Sequence, residues 1–137
     1  MSRRQAREIA LQSLFQMDFN DCPIEKALTG AIAELEDNTG SKFPKSSADF
    51  AAALVAGTKE NIEAIDEKIS LHLKDWKLSR MSGIDRNIIR LAVYELMFSP
   101  SELAPSIPIN EAIDLAKKYG SDDSARFVNG ILDSMIK

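Results

Sequence analysis

The sequence contains few of the residue types on which catalytic and metal sites usually depend. Among 137 residues there is one cysteine, Cys22, and one histidine, His72. A lone cysteine cannot form a disulfide within the chain, which agrees with a reducing, cytoplasmic environment. A lone histidine leaves a histidine-based metal site or a Ser-His-Asp triad without its usual partners. We therefore expect no metal, no cofactor and no catalytic residues.

Glycine and long apolar runs are also scarce. The six glycines are scattered, and none belongs to a glycine-rich loop of the kind that holds a nucleotide phosphate. No apolar run approaches the roughly 18 residues that suggest a membrane span, so we expect no membrane contact. The basic first residues are not followed by an apolar stretch, which argues against a secretory signal. The composition, 45% hydrophobic and 28% charged residues, is typical of one globular domain, predicted to span residues 1–137.

Positive charge is concentrated at the start of the chain, although the net charge of the whole is −4. Arg3, Arg4 and Arg7 precede the first acidic residue, whereas residues 21–75 contain six lysines against eleven acidic residues. On a helix Arg3 and Arg7 share a face, and Arg4 flanks them. Arginine forks match phosphate oxygens, but from these residues alone a solvated basic terminus explains the pattern better than a phosphate site.

Hydrophobic periodicity predicts an all-α fold, because every long segment has a helical period and none alternates like a strand. Helices are predicted over residues 3–19, 23–36, 46–69, 83–98, 109–119 and 121–135, with a short helix or turn around Trp76. Residues 37–45 and 99–108 are predicted to be loops, the second because it contains three prolines. The total is about seven helices in a single compact bundle.

Local sequence signals mark several helix ends and one close contact. Gly57 interrupts the third segment and predicts that another helix approaches closely there. Ser82 is placed to accept a hydrogen bond from the backbone of Asp85 at the start of the next helix. Gly120 is predicted to adopt the left-handed conformation after a helix, and Ser121 with the two aspartates that follow it to begin the last helix.

Three segments of the chain match the motifs of a known protein family. They are SRRQAREIALQSLFQ, SGIDRNIIRLAVYEL and INEAIDLAKKYGSDDSARFVNGILD. All three resemble the NusB family of bacterial transcription antitermination factors, in that family's order and spacing, and together they extend the resemblance over nearly the whole chain. The resemblance implies an all-α domain built from two packed helical subdomains, without catalytic activity.

The resemblance also implies a function and a set of site residues. NusB proteins bind boxA, a short single-stranded element of nascent RNA, together with NusE, a ribosomal small-subunit protein. The assembly joins the RNA polymerase elongation complex and suppresses premature termination, notably in ribosomal RNA operons. The implied RNA-binding residues are Arg3, Arg4, Arg7, Phe15, Arg86, Asp123 and Phe127. The implied partner-binding residues are Phe15, Asp85 and Asp123.

The two aromatic residues of the implied site, Phe15 and Phe127, would make different contacts. Phe15 stands where the family more often has tyrosine, so a hydroxyl contact to RNA or partner would be missing. Phe127 would stack on an unpaired base, an interaction worth about 1–3 kcal/mol. Packing in the core is the alternative explanation of Phe127, because Val128 and Ile131 follow it at core spacing.

Two other hypotheses stay open at the level of sequence. The same helical fold occurs as the N-terminal RNA-binding part of certain RNA cytosine methyltransferases, although these 137 residues contain no methyltransferase domain. Alternatively, the chain is a protein-interaction domain that forms a homodimer, and its basic start is incidental. RNA binding that depends on salt through the arginines would separate the antitermination-factor hypothesis from the homodimer hypothesis.

Overall fold

The computed structural model describes residues 3–73, 78–99 and 104–136, and α-helices account for most of them. The helices are α1 (Arg3–Phe19), α2 (Ile24–Thr39), α3 (Lys45–Glu60), α4 (Ile62–Leu71), α5 (Gly83–Val93), α6 (Ser106–Tyr119) and α7 (Asp122–Met135). These ranges contain no β-strand, and the all-α prediction with about seven helices is confirmed. Within them, no helix combines the length and the apolarity needed to cross a lipid bilayer. The predicted turn around Trp76 lies outside the described residues.

The chain divides into two compact units, one ending at Ala56 and the other beginning at Gly57. In the first unit α1 packs against α2, and its buried apolar side chains include Ala6, Ile9, Ala10, Leu14, Ala27 and Leu28. In the second unit α5 packs against α4, α6 and α7, and α6 packs against α7. The buried apolar side chains of this unit include Ile65, Ile69, Ile88, Leu91, Ala116, Val128 and Leu132. Both sets recur at helical spacing, as the hydrophobic periodicity predicts.

Two predicted boundaries in the first half of the chain are wrong. Helix α2 runs to Thr39 rather than residue 36, and Gly40 ends it in the left-handed conformation, with its backbone N–H donating to the Glu36 carbonyl at 2.8 Å. The third predicted segment is two helices, because the chain breaks at Asn61. There the Gly57 carbonyl accepts from the Asn61 side-chain amide at 2.8 Å as well as from the Asn61 backbone N–H at 3.1 Å.

The proline-rich connection is shorter than predicted. Ser106, Ile107 and Pro108 already belong to the first turn of α6, where a missing backbone N–H is tolerated. The predicted helix over 83–98 also changes character, because residues Tyr94–Phe98 form a wider π-helical turn closed by the Ser99 N–H donating to the Tyr94 carbonyl at 2.8 Å. Ser99 is extended, the conformation that a following proline favours.

Most of the predicted caps and the close approach at Gly57 are confirmed. The Ser82 hydroxyl accepts from the Asp85 backbone N–H at 3.1 Å, and the Ser121 hydroxyl accepts from the backbone of the third residue on, also at 3.1 Å. A β-carbon at Gly57 would lie 2.1 Å from Cζ of Tyr94. The left-handed conformation predicted for Gly120 is wrong.

Gly120 is needed for a steric reason instead. Its φ is −116°, and a β-carbon there would lie 2.8 Å from the Ser124 hydroxyl and 2.9 Å from the Ala116 carbonyl oxygen. The turn between α6 and α7 is therefore tight enough to exclude a side chain at this position.

Candidate nucleic-acid interface

Two of the three arginines at the start of α1 converge on an aromatic ring from α3. The Arg3 guanidinium carbon lies 4.0 Å from the centroid of the Phe50 ring, and that of Arg7 lies 5.3 Å from it. Both distances fall within the range of cation–π attraction. Arg3 and Arg7 therefore share one helix face, as their spacing predicts. We call Arg3, Arg4, Arg7 and Phe50 the arginine cluster.

The members of the arginine cluster differ in their access to solvent. Arg3 and Arg4 are exposed, Phe50 is half-buried, and Arg7 keeps only 4% of its surface exposed. An exposed guanidinium can meet a phosphate or a base without rearrangement, whereas a buried one first requires the chain around it to move. The geometry thus favours Arg3 and Arg4 over Arg7 as direct contacts of an anionic polymer.

A second aromatic feature lies further along α1. The rings of Phe15 and Phe19 meet edge to face, with centroids 4.9 Å apart and an interplanar angle of 69°. Phe15 is half-buried, and Phe19 has 71% of its surface exposed. A partly exposed aromatic pair of this kind is suited to an apolar contact with a partner or a base.

In the second unit the starts of α5 and α7 border a cleft of about 300 Å³. That volume is at the lower end of the range for small-molecule sites, about 300–1,000 Å³. Its lining residues are Arg80, Met81, Ser82, Asp85, Ser121, Asp123, Ser124 and Phe127. We call it the α5–α7 cleft. Phe127 is half-buried and lines it, so its ring is accessible from the cleft rather than enclosed in the core.

Hydrogen bonds tie the two helix starts together across the α5–α7 cleft. The Ser124 hydroxyl donates to Oδ2 of Asp85 at 3.3 Å and lies 3.3 Å from the hydroxyl of Ser121. The Asp85 side chain therefore reaches α7 instead of turning back to its own cap. Its Oδ1 is buried and accepts no hydrogen bond from the described part of the chain.

The electrostatics of the α5–α7 cleft come from both helix starts and charged side chains. Helix N-termini carry partial positive charge, and Asp85 and Asp123 offset it. Arg126 forms an ion pair with Asp123, but their side chains are 73% and 87% exposed, so the pair contributes little to stability. Asp123 can therefore exchange Arg126 for another donor at a small energetic cost. Arg86, next to Asp85, is half-buried.

Comparison with known proteins shows which family this chain is similar to. The profile of the NusB family matches residues 4–137. A transcription antitermination protein NusB from Pelotomaculum thermopropionicum is 45% identical over 137 residues, which cover 100% of this chain and 90% of that protein.

The chain belongs to the NusB family.

Solved structures of the family have the same fold. NusB from T. maritima superposes with a TM-score of 0.85 at 38% identity, covering 98% of this chain and 90% of that one. A crystal structure of the antitermination factors NusB and NusE in complex with dsRNA superposes with a TM-score of 0.82 at 28% identity, covering 97% of this chain and 94% of that one.

In this NusB-family chain the predicted site residues fall into two sets. Arg3, Arg4, Arg7 and Phe15 lie on α1, in the first unit. The other set belongs to the second unit, where Asp85, Asp123 and Phe127 line one cleft and Arg86 follows Asp85 on α5. The roles assigned to these residues stay predictions.

Sequence reasoning missed three residues that the geometry adds. Phe50 contacts the arginines, Arg80 lines the α5–α7 cleft, and Ser124 joins its two helices. Phe50 has the spacing of a core residue of α3, so nothing in the local pattern indicates that it meets α1. Among the described residues, no group of three or more His, Cys, Asp or Glu side chains is placed to hold a metal ion.

Proposed function

We propose that this NusB-family chain is a transcription antitermination factor that binds boxA-type single-stranded RNA together with NusE. The assembly would join the RNA polymerase elongation complex and suppress termination in ribosomal RNA operons. The protein acts in the cytoplasm by assembling a complex and carries out no reaction of its own.

The observation that carries this proposal is the α5–α7 cleft in a chain of this family. It combines an accessible aromatic ring, Phe127, with the carboxylates of Asp85 and Asp123. Single-stranded RNA is recognised by stacking of unpaired bases on aromatic rings and by hydrogen bonds to base edges. An ionised carboxylate is only a hydrogen-bond acceptor, so it would pair with base amino groups or with the amides and cations of a partner protein.

The arginine cluster supplies the electrostatic part of the proposed interface. Arg3 and Arg4 are exposed at the start of α1 and are the proposed phosphate contacts. Arg7 is 4% exposed, so we assign it a supporting role in the cluster. Phe15 is proposed to contact RNA or NusE, and Arg86 to assist at the α5–α7 cleft.

The relatives favour this proposal over the alternatives left open by the sequence. The curated NusB proteins are antitermination proteins, and this chain covers 90% of the Pelotomaculum protein rather than one part of a larger enzyme. Homodimerisation remains compatible with RNA binding, because a dimer would dissociate or rearrange as the RNA and NusE bind.

Assembly with NusE and a boxA RNA tests the proposal directly. The full chain, NusE and labelled boxA RNA should co-migrate on size-exclusion chromatography, and a scrambled RNA of the same length should not. NusE should also tighten RNA binding, and RNA should tighten NusE binding by the same factor, since the coupling is reciprocal. Equal retention of both RNAs, with or without NusE, would contradict the proposal.

A pair of variants connects that assembly to the α5–α7 cleft. Phe127→Ala should weaken boxA binding by about 1–3 kcal/mol, the value of one stacked base. Ile136→Ala removes an exposed apolar side chain, 46% accessible, just beyond the other end of α7 and should leave binding unchanged. Equal affinities for wild type and Phe127→Ala would exclude stacking on this ring.

A further inference from the structure

Phe50 is the half-buried aromatic residue on α3 whose ring both Arg3 and Arg7 approach. The Arg3 guanidinium carbon lies 4.0 Å from the ring centroid, which is close to stacking contact. Arg7 approaches the same ring at 5.3 Å and is itself buried. The exposed Arg3 thus contacts a ring whose position is restricted, because Phe50 belongs to a helix and the buried Arg7 lies beside its ring.

We propose that Phe50 is a positioning residue for RNA binding, which holds the Arg3 guanidinium in the orientation that meets the RNA. This inference rests on the proposed function. Phe50 itself makes no contact with RNA in this scheme. Its ring keeps one face of Arg3 occupied, and the Arg3 side chain stays exposed to solvent, where phosphate or an unpaired base can bind it.

The physical gain is the entropy of the Arg3 side chain. A free surface arginine samples many rotamers and loses them when it binds, at a cost in affinity for each side chain that is immobilised. A cation–π contact in the unbound protein removes part of that freedom before RNA arrives. Without Phe50, Arg3 would still bind RNA with the same charge, but it would have to be ordered during binding.

This mechanism separates two measurable quantities, the affinity and its dependence on salt. The slope of log K against log salt counts the phosphates that are neutralised, at about 0.7 per contact with a single strand. Phe50→Leu keeps every charge and an apolar helical side chain, so the slope should not change. The affinity should fall by roughly 2- to 10-fold, the loss that corresponds to the ordering of one side chain.

Variants at Phe50 distinguish positioning from a general loss of structure. Phe50→Trp keeps an aromatic face and should restore at least most of the wild-type affinity. Phe50→Leu should have no further effect in an Arg3→Ala background, since the residue it positions is absent. In an Arg4→Ala background, Phe50→Leu should weaken binding by the same factor as in wild type. Arg4 is adjacent to Arg3 in the helix, and adjacent helical side chains do not face each other. Thermal unfolding of every variant checks that the fold is retained.

Several results would overturn the inference. They are equal affinity of wild type and Phe50→Leu, failure of Phe50→Trp to restore binding in a folded protein, and undiminished loss in the Arg3→Ala background. A tighter Phe50→Leu complex would show that Arg3 must leave the ring to bind. If wild type fails to bind boxA RNA at all, the proposed function fails and this inference fails with it; if wild type binds and only the Phe50 series is silent, the proposed function stands.

Discussion

Gly57 and Gly30 both lie inside helices, where glycine destabilises by about 1 kcal/mol relative to alanine. Their surroundings differ. A β-carbon at Gly57 would lie 2.1 Å from Cζ and 2.3 Å from the hydroxyl oxygen of Tyr94, whereas a β-carbon at Gly30 would meet nothing within 4 Å. Tyr94 is buried, so its ring cannot swing into solvent to make room. Packing against Tyr94 therefore explains the glycine at position 57, whereas no neighbouring atom explains the glycine at position 30.

The two glycines give a matched prediction of stability. Gly57→Ala should lower the free energy of unfolding by about 1–3 kcal/mol, since overpacking outweighs the gain in helix propensity. Gly30→Ala should raise it by about 0.5–1 kcal/mol. Urea unfolding followed by circular dichroism measures both. A stabilised Gly57→Ala protein would mean that the ring of Tyr94 moves more freely than its burial indicates.

At the scale of elements, α5 and α7 begin at the same cleft and are capped in the same way. Ser82 and Ser121 each accept a hydrogen bond from a backbone N–H of the first turn, and both line the α5–α7 cleft. The side chains that cap the N-termini of the two helices therefore also form part of the polar surface of the proposed site. Stability of the helix start and shape of the cleft depend on the same atoms.

Loss of the α5 cap should lower stability by a predictable amount. Ser82→Ala leaves the Asp85 N–H without its acceptor and should reduce the free energy of unfolding by about 1 kcal/mol. Ser82→Asn can accept the same hydrogen bond and should stay within a few tenths of a kcal/mol of wild type. Chemical unfolding of the two variants side by side is the measurement. Equal destabilisation by both would attribute the effect to the cleft rather than to the cap.

At the scale of the whole molecule, the net charge of −4 weakens long-range attraction to RNA. Binding must then depend on local contacts at the basic start of α1, where Arg3 and Arg4 are exposed. A small number of phosphate contacts on an acidic protein should give a shallow salt dependence. Three arginines in contact would give a slope near −2, and two would give about −1.4.

Removal of the exposed arginines should flatten that dependence. Arg3→Ala with Arg4→Ala should reduce the magnitude of the slope of log K against log salt by about 1.4. Lys26→Ala with Lys42→Ala removes the same charge from exposed positions of the same unit and should change the slope less. Titrations of boxA RNA binding at several salt concentrations provide the comparison. If both pairs flatten the slope equally, net charge rather than the arginine cluster controls binding.

Part of the fold and of the site could be predicted from local patterns, and part could not. Helix α1 begins and ends where its periodicity places it, and Ser82 and Ser121 cap as expected, because both features depend on residues close in sequence. The break at Asn61 and the π-helical turn after Val93 were missed, since the hydrophobic pattern continues at helical spacing through both positions.

Hydrophobic spacing, cap residues and three family motifs were sufficient to determine an all-α member of the NusB family, because each is encoded in residues that are close together in the sequence. Only the tertiary structure decided which of the predicted site residues and their neighbours lie together. Asp85 meets Ser124, and Arg3 meets Phe50, across helices that are distant in the chain. It also decided that Arg7 is buried while Arg3 is exposed. Periodicity assigns a residue to a helix face, but packing determines what covers that face.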